Sequence, residues 1–362
     1  VRPLLLSTLF VTDWRNPDPV DEAAARFHLT LADALCAHAV AQAHIHQVRG
    51  VALGGGCFFN RILMLRITSK LGSAGLNVLQ AKSLSCGDAG LALGQTVERW
   101  VESGEGLAVH GAGGASWQAA ALIGADGVWS ALRQQLLGDA PARFTGHLAY
   151  RALVAQADLP AHLRSDQVTV WMGPRLHVVH YPVRSGQWLN LVAIVHGAKP
   201  VNPNDWDQAG HTQALMQAMG AVGRDLHERL ASVPAWRQWA LHDRAPLSGA
   251  SQMAQGRVAL LGDAAHPMRP YLAQGAGMAI EDAQALAQCL SAGNVTVPDQ
   301  LQAYAQARWA RNARVQARAI RNGRIFHATG PVAWGRNLSM RLMGERVMDV
   351  PWLYGGGAPL DR

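Results

Sequence analysis

The chain has 362 residues, 49% hydrophobic and 16% charged, with a net charge of +7. This is the composition of a globular protein long enough for two cores, and it excludes a disordered or low-complexity chain. No apolar run reaches the roughly 18 residues of a membrane helix, and residues 3–10 are too short for a secretory signal, so no membrane role is expected.

In chain order, residues 21–47 carry an Ala-rich helical period. Residues 51–53 read as a strand entering Gly54-Gly55-Gly56, 60–71 as a helix and 77–80 as a second, parallel strand. Residues 88–103 read as a helix approached through glycine, and Leu107 to Gly111 as part of an edge hairpin. A strand at 121–123 enters Gly124-Ala-Asp126-Gly127, and Ser130 starts a helix that carries Arg133. Segments 168–171, 176–181 and 187–195 alternate apolar and polar residues and are rich in Val and aromatics, the pattern of strands. Helical spacing returns over 208–232, and residues 236–246 connect it to the next strand. That strand, 258–261, stops at Gly262-Asp263; a Pro- and Gly-rich loop follows, and a helix begins near Gly275 to Gly277. Residues 281–291 and 298–322 read as helices, and the last thirty residues, with Trp334, Trp352 and Tyr354, are expected to pack back on them.

The run from Val258 to Gly277 places free backbone N–H groups at a helix N-terminus beside a carboxylate, an arrangement suited to a cofactor carrying phosphate and ribose. Taken alone, Gly-Asp and Asp-Gly also serve as ordinary strand-to-helix turns. The run resembles the second flavin-binding motif of the FAD-dependent aromatic hydroxylases, the salicylate and 3-hydroxybenzoate hydroxylase group, and Gly124-Ala-Asp126-Gly127 with Ser130 and Arg133 resembles a further motif of that family. The resemblance implies that Asp263 binds ribityl or ribose hydroxyls. It implies too that the loop with Gly262, Pro270, Gly275, Ala276 and Gly277 lies against the flavin ring and pyrophosphate, and that Asp126, Gly127 and Arg133 stand where FAD meets the nicotinamide.

His177 and Tyr181 are four residues apart, so a strand puts them on one face. A phenolic substrate needs a hydrogen-bond acceptor or base for its hydroxyl, and a histidine of near-neutral pKa meets that need. By resemblance, His177, Tyr181 and Gln274 are candidates for substrate orientation and deprotonation; alternatively, His177 and His180 simply decorate the two faces of a sheet. The implied activity is hydroxylation of a phenolic acid with FAD, NAD(P)H and O₂, with a small aromatic substrate and no nucleic acid as partner.

These hydroxylases open with a strand, a Gly-x-Gly-x-x-Gly turn and a helix that hold the FAD diphosphate. No such run precedes Asp126. Instead, Gly54-Gly55-Gly56 with Asn60-Arg61, and Cys86-Gly87-Asp88-Ala-Gly90, resemble the C-terminal end of the hydrogenase-maturation carbamoyltransferase family, whose last domain has an actin-like ATPase fold. The resemblance implies nucleotide contacts at Gly55 and Gly56, support from Asn60 and a metal contact at Asp88. The pattern departs at Gly54, Phe59 and Ala89, and His38, His44 and His46 supply no i, i+4 ligand pair, so no metal site is assigned.

The changeover between the two patterns falls between Gln95 and Gly114, without a flexible linker. The expected fold class is α/β (mixed α+β): an actin-like ATPase-fold fragment at 1–105, then a truncated flavin-monooxygenase fold at 106–362. The second part is expected to hold a mixed substrate-domain sheet at about 145–245 and flavin motifs at 121–133 and 256–290. A first residue of Val suggests a chain that begins mid-protein, and the joint suggests a fusion, deletion or assembly error. The expected activity is accordingly impaired; the alternatives are a carbamoyltransferase-type ATP-binding fragment and an inactive chimeric scaffold.

Two general features complete the reading. Arg308, Arg311, Arg314, Arg318, Arg321 and Arg324 recur at helical spacing and are expected to form a solvated face. Cys36, Cys57, Cys86 and Cys289 have no Cys-x-x-Cys spacing and are expected to be reduced thiols in a cytoplasmic setting.

Overall fold

The structure, a computed structural model of the chain, describes residues 33, 36, 37, 40, 50–53, 61–80, 97–103, 106–111, 114, 116–206, 208–291, 295–343 and 351–354. It divides into two compact units, Val1–Thr96 and Val97–Arg362. In the first unit, strands β1 (Gly50–Leu53) and β2 (Asn77–Gln80) pair in parallel, as their short apolar runs suggest, with helix α1 (Arg61–Ser73) between them in sequence. Ile67 and Leu71 of α1 are buried, and Asp33 meets Lys70 at 2.8 Å on the exposed side. Gly55, Gly56, Asn60 and Asp88, with His38, His44 and His46, lie outside the described residues.

The second unit opens with an antiparallel three-stranded sheet, β3 (Val97–Ser103), β4 (Gly106–Gly111) and β5 (Ser116–Ala119), with β4 central. Residues 97–103 are therefore a strand, not the end of a helix as their sequence was expected to give. Val97, Trp100 and Val101 suit a pleated surface, and β4 pairs with every residue of β3 except Glu98, where the register shifts.

Next come β6 (Leu122–Gly124), helix α2 (Ala131–Leu137) and the longest strand, β7 (Arg143–Ala155). Strands β8 (Thr169–Gly173), β9 (Leu176–Val183), β10 (Trp188–His196), β11 (Gln208–Gly210) and β12 (Trp236–Asp243) join β7 in a six-stranded antiparallel sheet of order β11-β12-β7-β10-β9-β8. Sequence reading named three of these six strands and missed β7, β11 and β12, the last lying where a connection was expected; the sheet expected to be mixed is antiparallel at every pairing. The stretch expected to be helical over 208–232 starts as strand β11 and then forms two helices, α3 (Thr212–Met219) and α4 (Arg224–Ala231). Gly220 separates them at φ 67°, a left-handed backbone that ends α3 with an N–H to the Met216 carbonyl.

Strand alternation gives the large sheet two different faces. On one, Leu176, Val178, Leu189, Leu191 and Val195 pack against Leu215, Met219, Leu226 and Leu230 of α3 and α4. Burying each such side chain contributes about 1.5–3 kcal/mol. The other face presents His147, Ala149, His177, Ile194 and His196, with Tyr271 and Phe326 packed on it.

The remaining core is built by β13 (Ala254–Gln255) and β14 (Val258–Leu260) together with helices α5 (Gly275–Leu290) and α6 (Val297–Phe326). Thr296 caps α6 by accepting from the Asp299 N–H, and Pro298 sits in its first turn, so the helix begins where the sequence allows. Helices α7 (Gly330–Met343) and α8 (Pro351–Tyr354) follow. Of the terminal aromatics, Trp352 packs with Met278, Val315 and Leu353, whereas Trp334 is 70% exposed and does not pack back.

Candidate cofactor site

Strands β6 and β14, more than 130 residues apart in sequence, lie side by side in parallel: Leu122 pairs with Val258, Ile123 with Ala259 and Gly124 with Leu260. The pairing continues one residue further, where the Leu261 N–H donates to the Gly124 carbonyl at 2.8 Å. Both sequence motifs therefore leave the sheet at the same carboxyl end, the edge at which parallel α/β sheets bind ligands. Gly124 packs closely here: a Cβ would stand 2.8 Å from a Leu260 methyl, so a larger residue would have to displace that side chain.

Beyond β6 the chain turns through Asp126 and Gly127, the latter at φ 76°. Ser130 caps α2, its hydroxyl accepting from the Arg133 N–H at 2.8 Å. The exposed Asp126 carboxylate accepts from the Leu132 N–H at 3.2 Å, which ties the turn to the helix. Arg133 is 3% exposed and points inward. Its guanidinium donates to the Ala264 and Ala265 carbonyls and pairs with Asp139 at 2.6 Å. Arg133 thus braces the loop after β14 through its Nε and one terminal nitrogen.

After β14, Gly262 adopts φ 61° and donates its N–H to Asp282 of α5 at 3.3 Å. Asp263 is exposed beside it, and one carboxylate oxygen lies 3.9 Å from where a Cβ on Gly275 would be. A carboxylate and the N-terminal first turn of α5 thus face the same space. At Gly277 a Cβ would come within 3.4 Å of the Gln274 side-chain oxygen, so Gln274 folds over the first turn of α5. Pro270 and Ala276 are exposed, and Gly275 and Gly277 are half-buried. This donor set fits a ribityl chain and one phosphate of FAD. No Gly-x-Gly-x-x-Gly run occurs in the chain to hold the rest of a diphosphate.

A buried polar network anchors the loop from beneath. Asp282 is fully buried and receives hydrogen bonds from His266, Asn312 at 2.9 Å and Arg308 at 2.8 Å. Burial alone would raise its pKa, but these donors hold the carboxyl below its ordinary value. Arg308 and Arg311 also pair with Glu281, and Arg314 lies over the Trp352 ring at 3.9 Å. The arginine series on α6 is therefore partly interior, not a solvated face throughout.

Among the candidate substrate residues, His177 and Tyr181 share a face of β9, and His180 points to the opposite core. Tyr271, three residues before Gln274, packs its ring 5.1 Å from that of His177 and so ties the loop to the sheet. His177 is 2% exposed, and burial with nearby His147 lowers its pKa to about 3, rather than the near-neutral value expected for a base. Tyr181 and Gln274 are half-buried. Sequence reading missed Tyr271, His147, His196 and His327, which surround His177. His147 and His196 become neighbours only through the register of β7 with β10. A separate apolar cavity of about 320 Å³ between α5 and α6, lined by Ala285, Cys289, Val295 and Ala303, has no charged group and is not suited to FAD.

Fold and site together define an α/β nucleotide-cofactor protein with a separate six-stranded antiparallel sheet. The family model described as FAD binding domain matches residues 107–319, and that described as the second subdomain of the Kae1-like carbamoyltransferase domain matches residues 3–95. The chain belongs to the FAD binding domain family. It is 39% identical over 262 residues to a 3-hydroxybenzoate 6-hydroxylase of Polaromonas naphthalenivorans, an alignment covering 70% of this chain and 63% of that protein. To the 3-hydroxybenzoate 6-hydroxylase 2 of Aquipseudomonas alcaligenes it is 36% identical, covering 72% of this chain and 80% of the relative. A salicylate hydroxylase in complex with substrate superposes with a TM-score of 0.65 at 27% identity, over 82% of this chain and 72% of that one.

Proposed function

We propose that this chain derives from an aromatic-ring monooxygenase using FAD, NAD(P)H and O₂ to hydroxylate a phenolic acid. The observation that carries the reading is the parallel pairing of β6 with β14, which brings Asp126-Gly127 and Gly262-Asp263 to one edge beside the α5 N-terminus. In this reading Asp263 binds ribityl hydroxyls, and Gly275, Ala276 and Gly277 offer amides to a phosphate. Gly262 and Pro270 shape the loop against the ring system, while Asp126 and Gly127 border the nicotinamide approach. Arg133 positions the loop from behind. When bound, the flavin supplies oxygen activation; the protein supplies orientation and electrostatics.

His177, Tyr181 and Gln274 orient the substrate. Held neutral by burial, His177 acts as a hydrogen-bond partner of the ring oxygen rather than as a strong base. The relatives named 3-hydroxybenzoate 6-hydroxylase and salicylate hydroxylase support a hydroxylated benzoate as the substrate class. The setting is cytoplasmic, where Cys36 and Cys289 remain thiols.

In this chain the activity is impaired. A missing diphosphate turn removes several charge-assisted hydrogen bonds, each worth about 1.5–3 kcal/mol. A loss of about 5 kcal/mol lowers affinity by roughly three to four orders of magnitude. The test is the visible spectrum of the purified full chain, followed by NAD(P)H oxidation with 3-hydroxybenzoate or salicylate. Flavin bound weakly and well below one per chain is the expected result. Stoichiometric flavin with substrate-stimulated NAD(P)H oxidation and a hydroxylated product would overturn the impairment. No flavin binding at any concentration would overturn the cofactor assignment itself.

The match of residues 3–95 to a carbamoyltransferase subdomain favours a second reading for that part, an ATP-binding remnant. Thermal stabilisation by ATP but not by FAD would select it.

A further inference from the structure

We propose that His147, His196 and His327 form a binding site for a divalent transition cation of the zinc class. The three rings come from separate elements: His147 from β7, its register partner His196 from β10, and His327 from the residue that ends α6. His147 and His327 are buried, whereas His196 is exposed and gives the site access to solvent. Nε2 of His196 lies 3.1 Å from Nε2 of His147 and 3.2 Å from Nδ1 of His327, and all three ligand atoms are within 4.8 Å of one another. Nitrogens bound to one zinc ion at about 2.0–2.1 Å in a tetrahedron stand about 3.3 Å apart, so two of the three edges already have that length.

Hydrogen-bond bookkeeping points the same way. A ring nitrogen of neutral histidine holds either one proton or one lone pair. The remaining nitrogen of each buried ring has its own partner: Nδ1 of His147 lies 2.6 Å from the Tyr271 hydroxyl, and Nε2 of His327 lies 2.7 Å from Nδ1 of His177. If these outer nitrogens donate, as in metal-bound imidazoles generally, the inner ones carry lone pairs aimed at His196. One proton on His196 satisfies one of them along its axis and leaves the other poorly met. A cation meets all three.

Imidazole donors with no carboxylate in the set select late first-row ions over Ca²⁺ or Mg²⁺, which require oxygen. Three protein ligands leave a fourth position for water. The charged groups acting on these rings are Arg175, Arg269 and Asp243, and the last two are joined in an ion pair at 2.6 Å.

The test titrates the metal-free full chain with Zn²⁺ by calorimetry and with Co²⁺ by absorption. The proposal expects one ion per chain and a four-coordinate Co²⁺ ligand-field spectrum. Both should be lost in His196→Asn, whose exposed position keeps folding intact, and retained in His227→Asn, an exposed histidine elsewhere on α4. Tyr271→Phe should weaken binding by about 10- to 100-fold. Absence of stoichiometric uptake, or uptake that survives His196→Asn with a normal melting curve, overturns the assignment. The outcome does not depend on flavin content, so it stands or falls separately from the hydroxylase reading.

Discussion

Asp263 carries the largest share of the cofactor argument at the scale of single residues. Its carboxylate faces the first turn of α5, where in the proposed reading a ribityl hydroxyl would gain a charge-assisted hydrogen bond. Asp263→Ala is expected to weaken FAD binding by about 10- to 100-fold, equivalent to the 1.5–3 kcal/mol of such a bond, measured by quenching of flavin fluorescence. An unchanged affinity would move the ribityl contact elsewhere. His180 gives a pH prediction. Burial first, then the Arg229 charge, lowers its pKa from 6.5 to about 4, and its Nδ1 accepts from the Trp171 indole at 3.3 Å. Between those two pH values the unfolded chain binds the proton and the folded chain does not. Stability from this group is therefore full above about pH 6.5 and declines as pH falls toward about 4. The melting temperature of His180→Gln should depend less steeply on pH across that window than that of the parent; equal slopes would refute the assignment. The Gly262-Asp263 turn after β14 was legible in the sequence, because local chemistry specifies such a turn. The interior course of Arg133 was not, because which way a guanidinium faces depends on the carbonyls brought to it from residues 264 and 265.

Between elements, the α5–α6 contact decides whether the cofactor loop is held. Asp282 collects donors from Arg308, Asn312, His266 and the Gly262 N–H, so one carboxylate joins both helices to the turn after β14. Asp282→Asn leaves Arg308 partly unpaired in the interior and is expected to cost about 3–5 kcal/mol in urea denaturation; a loss under about 1 kcal/mol would show the network to be peripheral. Gly323 of α6 marks a second contact, where a Cβ would fall 2.5 Å from the Tyr271 ring. Gly323→Ala should therefore cost about 1–3 kcal/mol through overpacking and displace Tyr271 from His147, read as a shifted His147 ring resonance in NMR spectra. The helices themselves were evident from periodicity over 281–291 and 298–322. Strand β7 escaped notice because its burial pattern reflects two different faces, one packed on helices and one on histidines and Tyr271, so no clean period of two appears in Arg143 to Ala155.

Across the whole molecule, contacts divide at Thr96/Val97, and the two family matches fall at 3–95 and 107–319. Two cores should unfold as two calorimetric transitions, and added FAD should raise only one of them, in proportion to ln(1 + [FAD]/Kd). A single transition, or a shift in both, would refute that division. The sequence by itself determined the flavin motifs, the glycine turns, the helix starts and the joining of two unlike halves, since each rests on neighbours within a few residues. Only the tertiary structure decided that β6 and β14 lie in parallel, that Arg133 and Arg308 point inward, and that four histidines meet. Those outcomes depend on strand register and on helix packing between residues 26 to 150 positions apart, where no local propensity acts.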